Sequence, residues 1–311
     1  MVVAVGLLGC GLASGPASEA AYPGGNGSIA FNVEGRSGTW SETVRPDGRG
    51  RRRLGDFKSV SWSGSGRRLV ALDYSSGGSP LVRADRVGRT LGTIPLPDSV
   101  PCDWGGCSPL EPNVRLYVAD EGLALSPDGR TLAFVNDFDL PNMGLARWIW
   151  TVRTDGSRLR RLRAGTEPRW TPDGRRIVFQ SWDELGSIEE VASMRRDGTD
   201  FRRVRTVTPF DELLDVSSDG RRVLWWGGEP RKRPSRNGLY TSELRGRDAH
   251  LIDRSLYAYD GCWSADGTKI VFSRLGPREA TWVIPAAGGR KRRVLARPHE
   301  GLAWQPRRLR R

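Results

Sequence analysis

An all-β fold made of one repeated four-stranded unit is predicted by three features of this 311-residue sequence. First, a phrase consisting of an apolar run, a Ser/Thr-x-Asp-Gly turn and a second apolar run recurs along the chain. Second, the 39 glycines and 20 prolines are spread throughout, which is typical of many short elements joined by tight turns. Third, the apolar residues show almost no helical periodicity.

The recurring phrase has the chemistry of a β-hairpin. In the copy LALSPDGRTLAFV, from Leu123, Pro sets φ at the second turn position, Asp caps backbone N–H groups and Gly supplies a positive φ. The flanking runs are rich in β-branched and aromatic residues, as strands are. The equivalent residues at the end of the first run are Trp62, Leu125, Trp170, Val216 and Trp263. Their spacings are 63, 45, 46 and 47 residues, so one copy carries an insertion.

A second hairpin follows each copy, with an Asp-Gly turn and a basic edge strand, as in TDGSRLRRL from Thr154. Two hairpins give four strands, the size of a propeller blade. The strand around Trp304 has no hairpin after it, whereas GSIAFNV from Gly27 begins three strands that lack an inner one. Residues 22–311 are therefore predicted to form a six-bladed β-propeller of four-stranded antiparallel blades. Its last blade is closed by the N- and C-terminal strands, and the repeat tryptophans fill the space between blades.

These residues resemble the TolB-like propellers, whose WD40-like repeat carries a Trp-Ser-Pro-Asp-Gly signature. The opening YPGGNGSIAF and the closing AWQP are also similar to the ends of that family, and the resemblance covers residues 22–306. The sequence departs from the pattern where Gly64-Ser65-Gly66 replaces Pro-Asp-Gly, and where Leu125 and Val216 replace Trp. The resemblance implies the propeller fold and says little about function, because the family is diverse.

The first residues predict export. Residues 1–21 are apolar and then small, which is typical of a signal peptide cleaved after Ala20 or Ala21. Leu7-Leu8-Gly9-Cys10 resembles a bacterial lipobox, so the alternative is a lipoprotein anchored at Cys10. Either way the protein is expected to be secreted, periplasmic or attached to the cell envelope, with no transmembrane segment in the mature chain.

The insertion, residues 91–119, contains Cys102, Trp104 and Cys107 and several prolines. The two cysteines close a small loop, and an oxidising compartment predicts a Cys102–Cys107 disulfide. Such a stiffened loop is either a contact element or a lid over the channel, or Trp104 simply packs on the blade below. Cys262 is expected to be an inert buried thiol.

One acidic residue precedes each inner strand. In a propeller these loops lie at one mouth of the channel, so an acidic ring for a partner or ligand is predicted from Asp56, Glu121, Glu167, Glu212, Asp260 and Glu300. Such a ring would bind a basic peptide segment or, as an alternative cofactor, Ca²⁺. The competing interpretation is that these side chains point into solvent. Arg169 and Asp215, just before two repeat positions, are predicted to form a structural pair between blades.

The sequence assigns no catalytic or metal-binding residue. With two histidines in the chain, His250 and His299, it lacks the histidine cluster of metal-dependent lyases, and it has no Gly-x-Ser-x-Gly elbow. The favoured function is therefore a non-enzymatic binding or scaffold protein that holds a protein or peptide partner at the channel face. A monomer is expected.

Two other functions stay open. Paired carboxylates at the mouth would suffice for a carbohydrate-active or hydrolytic enzyme. The net charge of +13 would suit a surface protein that adheres to polyanions through its arginines. The competing interpretation of the charge is arginine on solvated turns.

Overall fold

The computed structural model of the chain describes residues 21–36, 38–75, 80–101, 113–120, 122–140, 144–182, 188–206, 212–227, 237–244, 247–254 and 257–307. These residues form strands and turns, and no helix among them is long and apolar enough to cross a membrane. Residues 1–20 of the predicted leader, Cys10 among them, lie outside the described residues, as do Cys102, Trp104, Cys107 and Glu121.

The strands follow one another along the chain with short connections. The first thirteen are β1 (Gly25–Gly35), β2 (Gly38–Val44), β3 (Arg52–Gly55), β4 (Phe57–Trp62), β5 (Arg68–Asp73), β6 (Leu81–Asp85), β7 (Thr90–Thr93), β8 (Ser99–Pro101), β9 (Asn113–Arg115), β10 (Ala124–Leu125), β11 (Thr131–Leu140), β12 (Gly144–Arg153) and β13 (Arg160–Trp170). The remainder are β14 (Arg176–Trp182), β15 (Ile188–Arg195), β16 (Arg202–Thr206), β17 (Glu212–Val216), β18 (Arg222–Gly227), β19 (Gly238–Glu243), β20 (His250–Asp253), β21 (Tyr257–Trp263), β22 (Lys269–Leu275), β23 (Ala280–Pro285), β24 (Arg292–Leu295) and β25 (Ala303–Arg307).

The strands pair in antiparallel sheets. Four sheets have four strands each, in the orders β25-β1-β2-β3, β4-β5-β6-β7, β17-β18-β19-β20 and β21-β22-β23-β24. A fifth sheet runs from β10 to β16 and has seven strands. Within it β13 is shared, because residues 160–164 pair with β12 and residues 165–170 pair with β14. In the predicted insertion, β8 and β9 form a small separate hairpin, and β7 overlaps its beginning.

The predicted hairpin turns form for the reason that the sequence indicates. In one of them the Ser126 hydroxyl donates to Asp128 Oδ1 at 2.6 Å, and the Arg130 backbone N–H donates to the same oxygen at 2.9 Å. Gly129 adopts the required positive φ of 70°. The same hydroxyl-to-carboxylate bond recurs at 2.6 Å at Asp173, Asp219 and Asp266.

The core lies between sheets, as predicted for the repeat tryptophans. Trp62, Trp170, Trp263 and Trp304 are all buried. Trp62, Trp263 and Trp304 each pack in a cluster that includes residues of the preceding sheet. Trp170 packs with Ala124 and Ile149, which belong to the first strands of the seven-stranded sheet. Its indole N–H also donates to the Ala124 carbonyl at 2.8 Å. Cys262 is buried in the cluster around Trp304, as expected.

The two ends of the chain meet in one sheet. Trp304 of β25 pairs with Ile29 of β1, and Ala303 pairs with Ala30. The Gln305 side chain then donates to the Gly66 carbonyl in the β4–β5 turn at 2.8 Å. The sheet formed by both termini is thereby hydrogen-bonded to the sheet that begins with β4.

Candidate functional site

The sheets have two ends with different chemistry. The Ser/Thr-x-Asp-Gly turns join the first strand of a sheet to its second, so they lie at one end. The loops that enter the first strands lie at the other end, which is the predicted mouth. The acidic residues expected there are not placed alike. Asp56 is exposed and pairs with Arg53, and Glu212 is partly buried at the start of β17.

Glu167 and Arg169 form a buried ion pair. Glu167 has a positive φ of 53° at a break in the β13–β14 register, and this turns its side chain toward the guanidinium. The two groups lie 2.7 Å apart, and Arg169 is fully buried. Burial raises the pKa of Glu167, and the positive charge of Arg169 opposes this shift. The carboxylate that Arg169 bonds is thus Glu167, although the sequence suggested Asp215.

Arg169 and Asp215 both lie where β13 and β17 meet. Arg169 Nε donates to the Leu214 carbonyl at 2.9 Å, one residue from Asp215. Asp215 accepts from its own strand at the Val216 N–H and from the next sheet at the Trp263 N–H, both at 2.7 Å. Burial raises the pKa of Asp215 well above its usual value, and the Trp263 N–H and the Arg169 charge oppose this shift. Asp215 therefore joins two sheets through a backbone N–H.

Asp260 has the same role one sheet further on. It is buried, and its Oδ2 accepts from the Leu302 N–H at 2.8 Å. Burial raises its pKa strongly, with a further contribution from the negative charges of Glu300 and Glu167. Its Oδ1 has no hydrogen-bond partner among the described residues. Polar side chains also accept N–H bonds across two other sheet boundaries, since Ser61 bonds Leu125 at 2.6 Å and Gln180 bonds Leu213 at 3.2 Å.

The sequence offered a signal for these bonds that its analysis missed. Ser61, Asp215 and Asp260 are polar residues of short inner strands, close to buried apolar residues. A buried polar group needs a hydrogen-bond partner. When the side chain faces the neighbouring sheet, that partner is a backbone N–H group of that sheet.

A pocket of about 520 Å³ opens at the mouth beside β1. We call it the mouth pocket; its polar lining residues are Asn32, Glu34, Arg51, Arg297, His299 and Glu300. The loop that leads to β25 is held against β1 by the Asn32 N–H, which donates to the Glu300 carbonyl at 2.7 Å. His299 Nδ1 lies 3.0 Å from the Asn32 carbonyl. Gly301 has a φ of 66° and lies directly against the Asn32 side chain. A Cβ at residue 301 would come within 2.5 Å of the side-chain nitrogen of Asn32, so this position needs glycine.

The mouth pocket is electrically polarised. Glu300 is partly buried, which raises its pKa, and the negative charge of Glu34 raises it further. At the other end, burial and the positive charges of Arg51 and Arg297 lower the pKa of His299, although its bond to Asn32 opposes them. His299 is consequently neutral near pH 7. The pocket thus has an acidic end at Glu34 and Glu300 and a basic end at Arg51 and Arg297.

Asp120 is a further acidic residue of the mouth that the sequence analysis did not single out. Its carboxylate lies 2.8 Å from the Lys58 ammonium and also accepts a hydrogen bond from the Tyr74 hydroxyl. Its backbone carbonyl accepts a hydrogen bond from the Ser59 hydroxyl. Burial lowers the pKa of Lys58, but the bond to Asp120 outweighs this and raises it. In the described part of the chain, no group of three or more His, Cys, Asp or Glu residues is arranged to hold a metal ion.

No protein-family model matches the chain, and no curated protein matches its sequence. Solved structures do match. TolB from Acinetobacter baumannii superposes with a TM-score of 0.67 at 16% identity, covering 90% of this chain and 67% of that one. A chain of the nidogen/laminin complex gives 0.60 at 12% identity and covers 91% and 100%. An oligogalacturonate lyase in complex with manganese gives 0.55 at 12% identity and covers 89% and 77%. Together with the antiparallel sheets, these similarities show that the chain has a β-propeller fold.

Proposed function

We propose that the chain forms a closed ring of six blades. Division of the seven-stranded sheet at β13 supports this number, because it leaves four strands on each side when β13 is counted in both. The innermost strands also contact one another in an unbroken cycle, namely β4, β10, β13, β17, β21, β25 and again β4. Such a radial arrangement leaves only short outer edges, which limits edge-to-edge association.

We propose further that the protein acts outside the cytoplasm. Residues 1–21 have the composition of a signal peptide, and Cys10 offers the alternative of a lipid anchor. The TolB resemblance supports a place in the cell envelope. The predicted Cys102–Cys107 disulfide is part of the same proposal, since it requires an oxidising compartment.

The function that the site supports best is non-enzymatic binding of a protein or peptide at the channel mouth. The observation that carries this proposal is the acidic end of the mouth pocket. Burial raises the pKa of Glu300, the negative charge of Glu34 raises it further, and neither carboxylate forms an ion pair with a described residue. A cationic side chain placed between them would remove that repulsion.

The basic end of the pocket sets a second requirement on the partner. Arg51 reaches Glu42 nearby, whereas Arg297 has no ion pair with any described carboxylate. A segment with a Lys or Arg followed by an acidic group would match both ends, as a zwitterionic peptide does. Of the predicted acidic ring, Glu300 thus contacts the partner directly. Glu167 and Asp260 are buried, so they do not contact the partner.

Titration with a labelled tetralysine peptide, followed by fluorescence anisotropy, tests this proposal. The double variant Glu34→Gln/Glu300→Gln should bind about tenfold more weakly, the expected size for losing two partly desolvated charge contacts. Binding to the unaltered protein should strengthen as the pH rises through the raised pKa of Glu300, because only the ionised carboxylate attracts the ammonium groups.

The matched control is Glu243→Gln/Glu279→Gln, which removes the same charge from two exposed positions outside the pocket. It should leave the affinity within about twofold, as exposed charges contribute little at physiological salt. Equal losses in the two double variants, or binding of the fully acetylated peptide as tight as that of the free one, would contradict the proposal.

A second candidate function is carbohydrate cleavage. Two carboxylates and a neutral imidazole share the mouth pocket, and such groups can act as general acid and base. One similar structure is a lyase that acts on oligogalacturonate, although this chain has only two histidines. Release of reducing or unsaturated sugar ends from oligosaccharides, abolished by Glu300→Gln, would favour this candidate over binding.

A further inference from the structure

A groove rich in arginine lies at the turn end of the sheets, away from the mouth pocket. It has a volume of about 720 Å³ and runs between the sheet β25-β1-β2-β3 and the sheet β4-β5-β6-β7. We call it the arginine groove; its charged lining residues are Arg45, Arg52, Arg67, Arg86 and Arg307. They come from five different turns or strands, so the groove exists only where the chain ends meet β4. No carboxylate residue lines it in the part of the chain that the structure describes.

The five arginines are not neutralised by their surroundings. All are exposed, and none forms an ion pair with a described carboxylate, although many arginines elsewhere do. Asp47 and Asp85 are close in sequence, but each accepts N–H bonds within its own turn, from Arg49 and Val87, at 2.9 Å. The positive charge therefore faces the groove without a fixed counter-ion.

The repeat departs from its pattern at this place. Four Ser/Thr-x-Asp-Gly turns carry a carboxylate, whereas the turn beside the groove has Ser65 at that position. On the other side of the groove, the Gln305 side chain of β25 bonds the Gly66 carbonyl. Among the described turns of this kind, the one without an Asp carboxylate thus borders the arginine groove.

The lining selects among anions. Arginine presents a planar fork of donors that matches phosphate oxygens two at a time. Among the described residues that line the groove there is no aromatic ring on which a nucleobase would stack. Its apolar members are limited to Val87 and Pro306 within the same described set, too few for an apolar peptide or an acyl chain.

We propose that the arginine groove is a binding site for a flexible phosphate-rich polyanion without bases, such as a polyphosphate or a polyol-phosphate chain. The ligand would lie along the boundary between the sheet β25-β1-β2-β3 and the sheet β4-β5-β6-β7, and would contact both. This site is separate from the mouth pocket, so either proposal can fail without the other.

Fluorescence anisotropy with labelled inorganic polyphosphate, at several salt concentrations, tests the site. The triple variant Arg45→Gln/Arg67→Gln/Arg86→Gln should weaken binding at least about tenfold. It should also reduce the slope of log affinity against log salt by roughly two to three, because each lost phosphate contact removes close to one released counter-ion.

A matched triple variant is available, Arg130→Gln/Arg175→Gln/Arg221→Gln. These arginines occupy the position of Arg67 in three other turns of the same kind, each beside a turn carboxylate whose pKa it helps to lower. The change in net charge is the same, and affinity and slope should stay within about twofold of the unaltered protein. The proposal is overturned if both triples lose affinity equally, if the unaltered protein does not bind polyphosphate, or if polyglutamate or a single-stranded oligonucleotide binds as tightly.

Discussion

Individual buried carboxylates hold neighbouring sheets together, and they do so in two different ways. Asp215 accepts N–H bonds on both oxygens, from Val216 and Trp263. Asp260 accepts from Leu302 on one oxygen, and its other oxygen has no partner among the described residues. Replacement by Asn keeps one acceptor oxygen and puts an NH₂ donor in place of the other, so the two sites should respond differently.

Asp260→Asn should leave the free energy of unfolding at pH 7 unchanged or higher, because the amide oxygen can still accept from Leu302 and a buried charge is removed. Asp215→Asn should lower it by about 1–3 kcal/mol, since one buried N–H then faces another donor. Urea unfolding of both variants measures this difference. A larger loss for Asp260→Asn than for Asp215→Asn would refute it.

The same substitution should alter the pH dependence of stability. The folded pKa of Asp260 is raised by burial, so the folded state binds the proton more tightly than the unfolded state. Its contribution to stability is therefore full below the unfolded pKa of roughly 3.9 and is lost as the pH rises through the folded pKa. In Asp260→Asn this decline with rising pH should be smaller than in the unaltered protein.

Among the structural elements, the turn after the first strand of each sheet is repeated with one informative exception. Where the turn carries Asp, as at Asp173, its carboxylate bonds Thr171 at 2.6 Å and the Arg175 N–H at 3.0 Å. Ser65 makes the corresponding bonds at 3.2 and 3.4 Å, to Ser63 and Arg67. The turn at Ser65 is thus the weaker version of the same element.

Ser65→Asp should stabilise the turn by about 0.5–1.5 kcal/mol through these charge-assisted bonds. Asp173 is the equivalent residue of another turn. Partial burial raises its pKa, but the hydrogen bond from Thr171 outweighs this, so the pKa of Asp173 is lowered. The gain at residue 65 should accordingly be present above the ordinary carboxyl pKa and lost as the pH falls through the lowered value. The same variant should weaken polyphosphate binding, because it places a negative charge beside Arg67. Thermal unfolding and anisotropy measure the two effects, and a variant that binds polyphosphate more tightly would contradict the second.

At the scale of the whole molecule, the junction between β25 and the β4–β5 turn joins the sheet formed by both chain ends to the sheet that begins with β4. Gly66 has a φ of 62°, and a Cβ there would come within 1.8 Å of the Pro306 carbonyl oxygen. Gly129 occupies the same turn position on another sheet, with a φ of 70°, but its Cβ would meet only the Ser63 side chain at 3.2 Å. Both glycines need a positive φ, but only Gly66 also lies against the backbone of β25. We call this contact between Gly66 and Pro306 the seam contact.

Gly129→Ala should cost roughly 1–2 kcal/mol of unfolding free energy, the strain of a left-handed alanine. Gly66→Ala should cost a further 1 to 3 kcal/mol or so, because the Pro306 carbonyl must move and the Gln305 bond is lost. Chemical denaturation gives both values, and limited proteolysis should show earlier cleavage near the C-terminus in Gly66→Ala. If the two losses are equal, the seam contact does not contribute to closure.

The sequence alone determined what depends on neighbouring residues. The turn at Asp128 and the β-rich runs follow from local backbone chemistry, so they were predicted correctly. The burial of the repeat tryptophans and the pairing of β25 with β1 were also predicted correctly, but from the repeat and not from local chemistry. Of the described members of the acidic ring, Glu300 alone lines the mouth pocket. The Cys102–Cys107 pair and Glu121 stay predictions.

The tertiary structure decided which distant groups meet. Arg169 bonds Glu167 and the Leu214 carbonyl, while Asp215 bonds a backbone N–H 48 residues away. Such partners depend on how one sheet is rotated and shifted against the next, and a sequence repeat does not encode that displacement. The arginine groove has the same origin, because its residues become neighbours only when the first and last strands share a sheet.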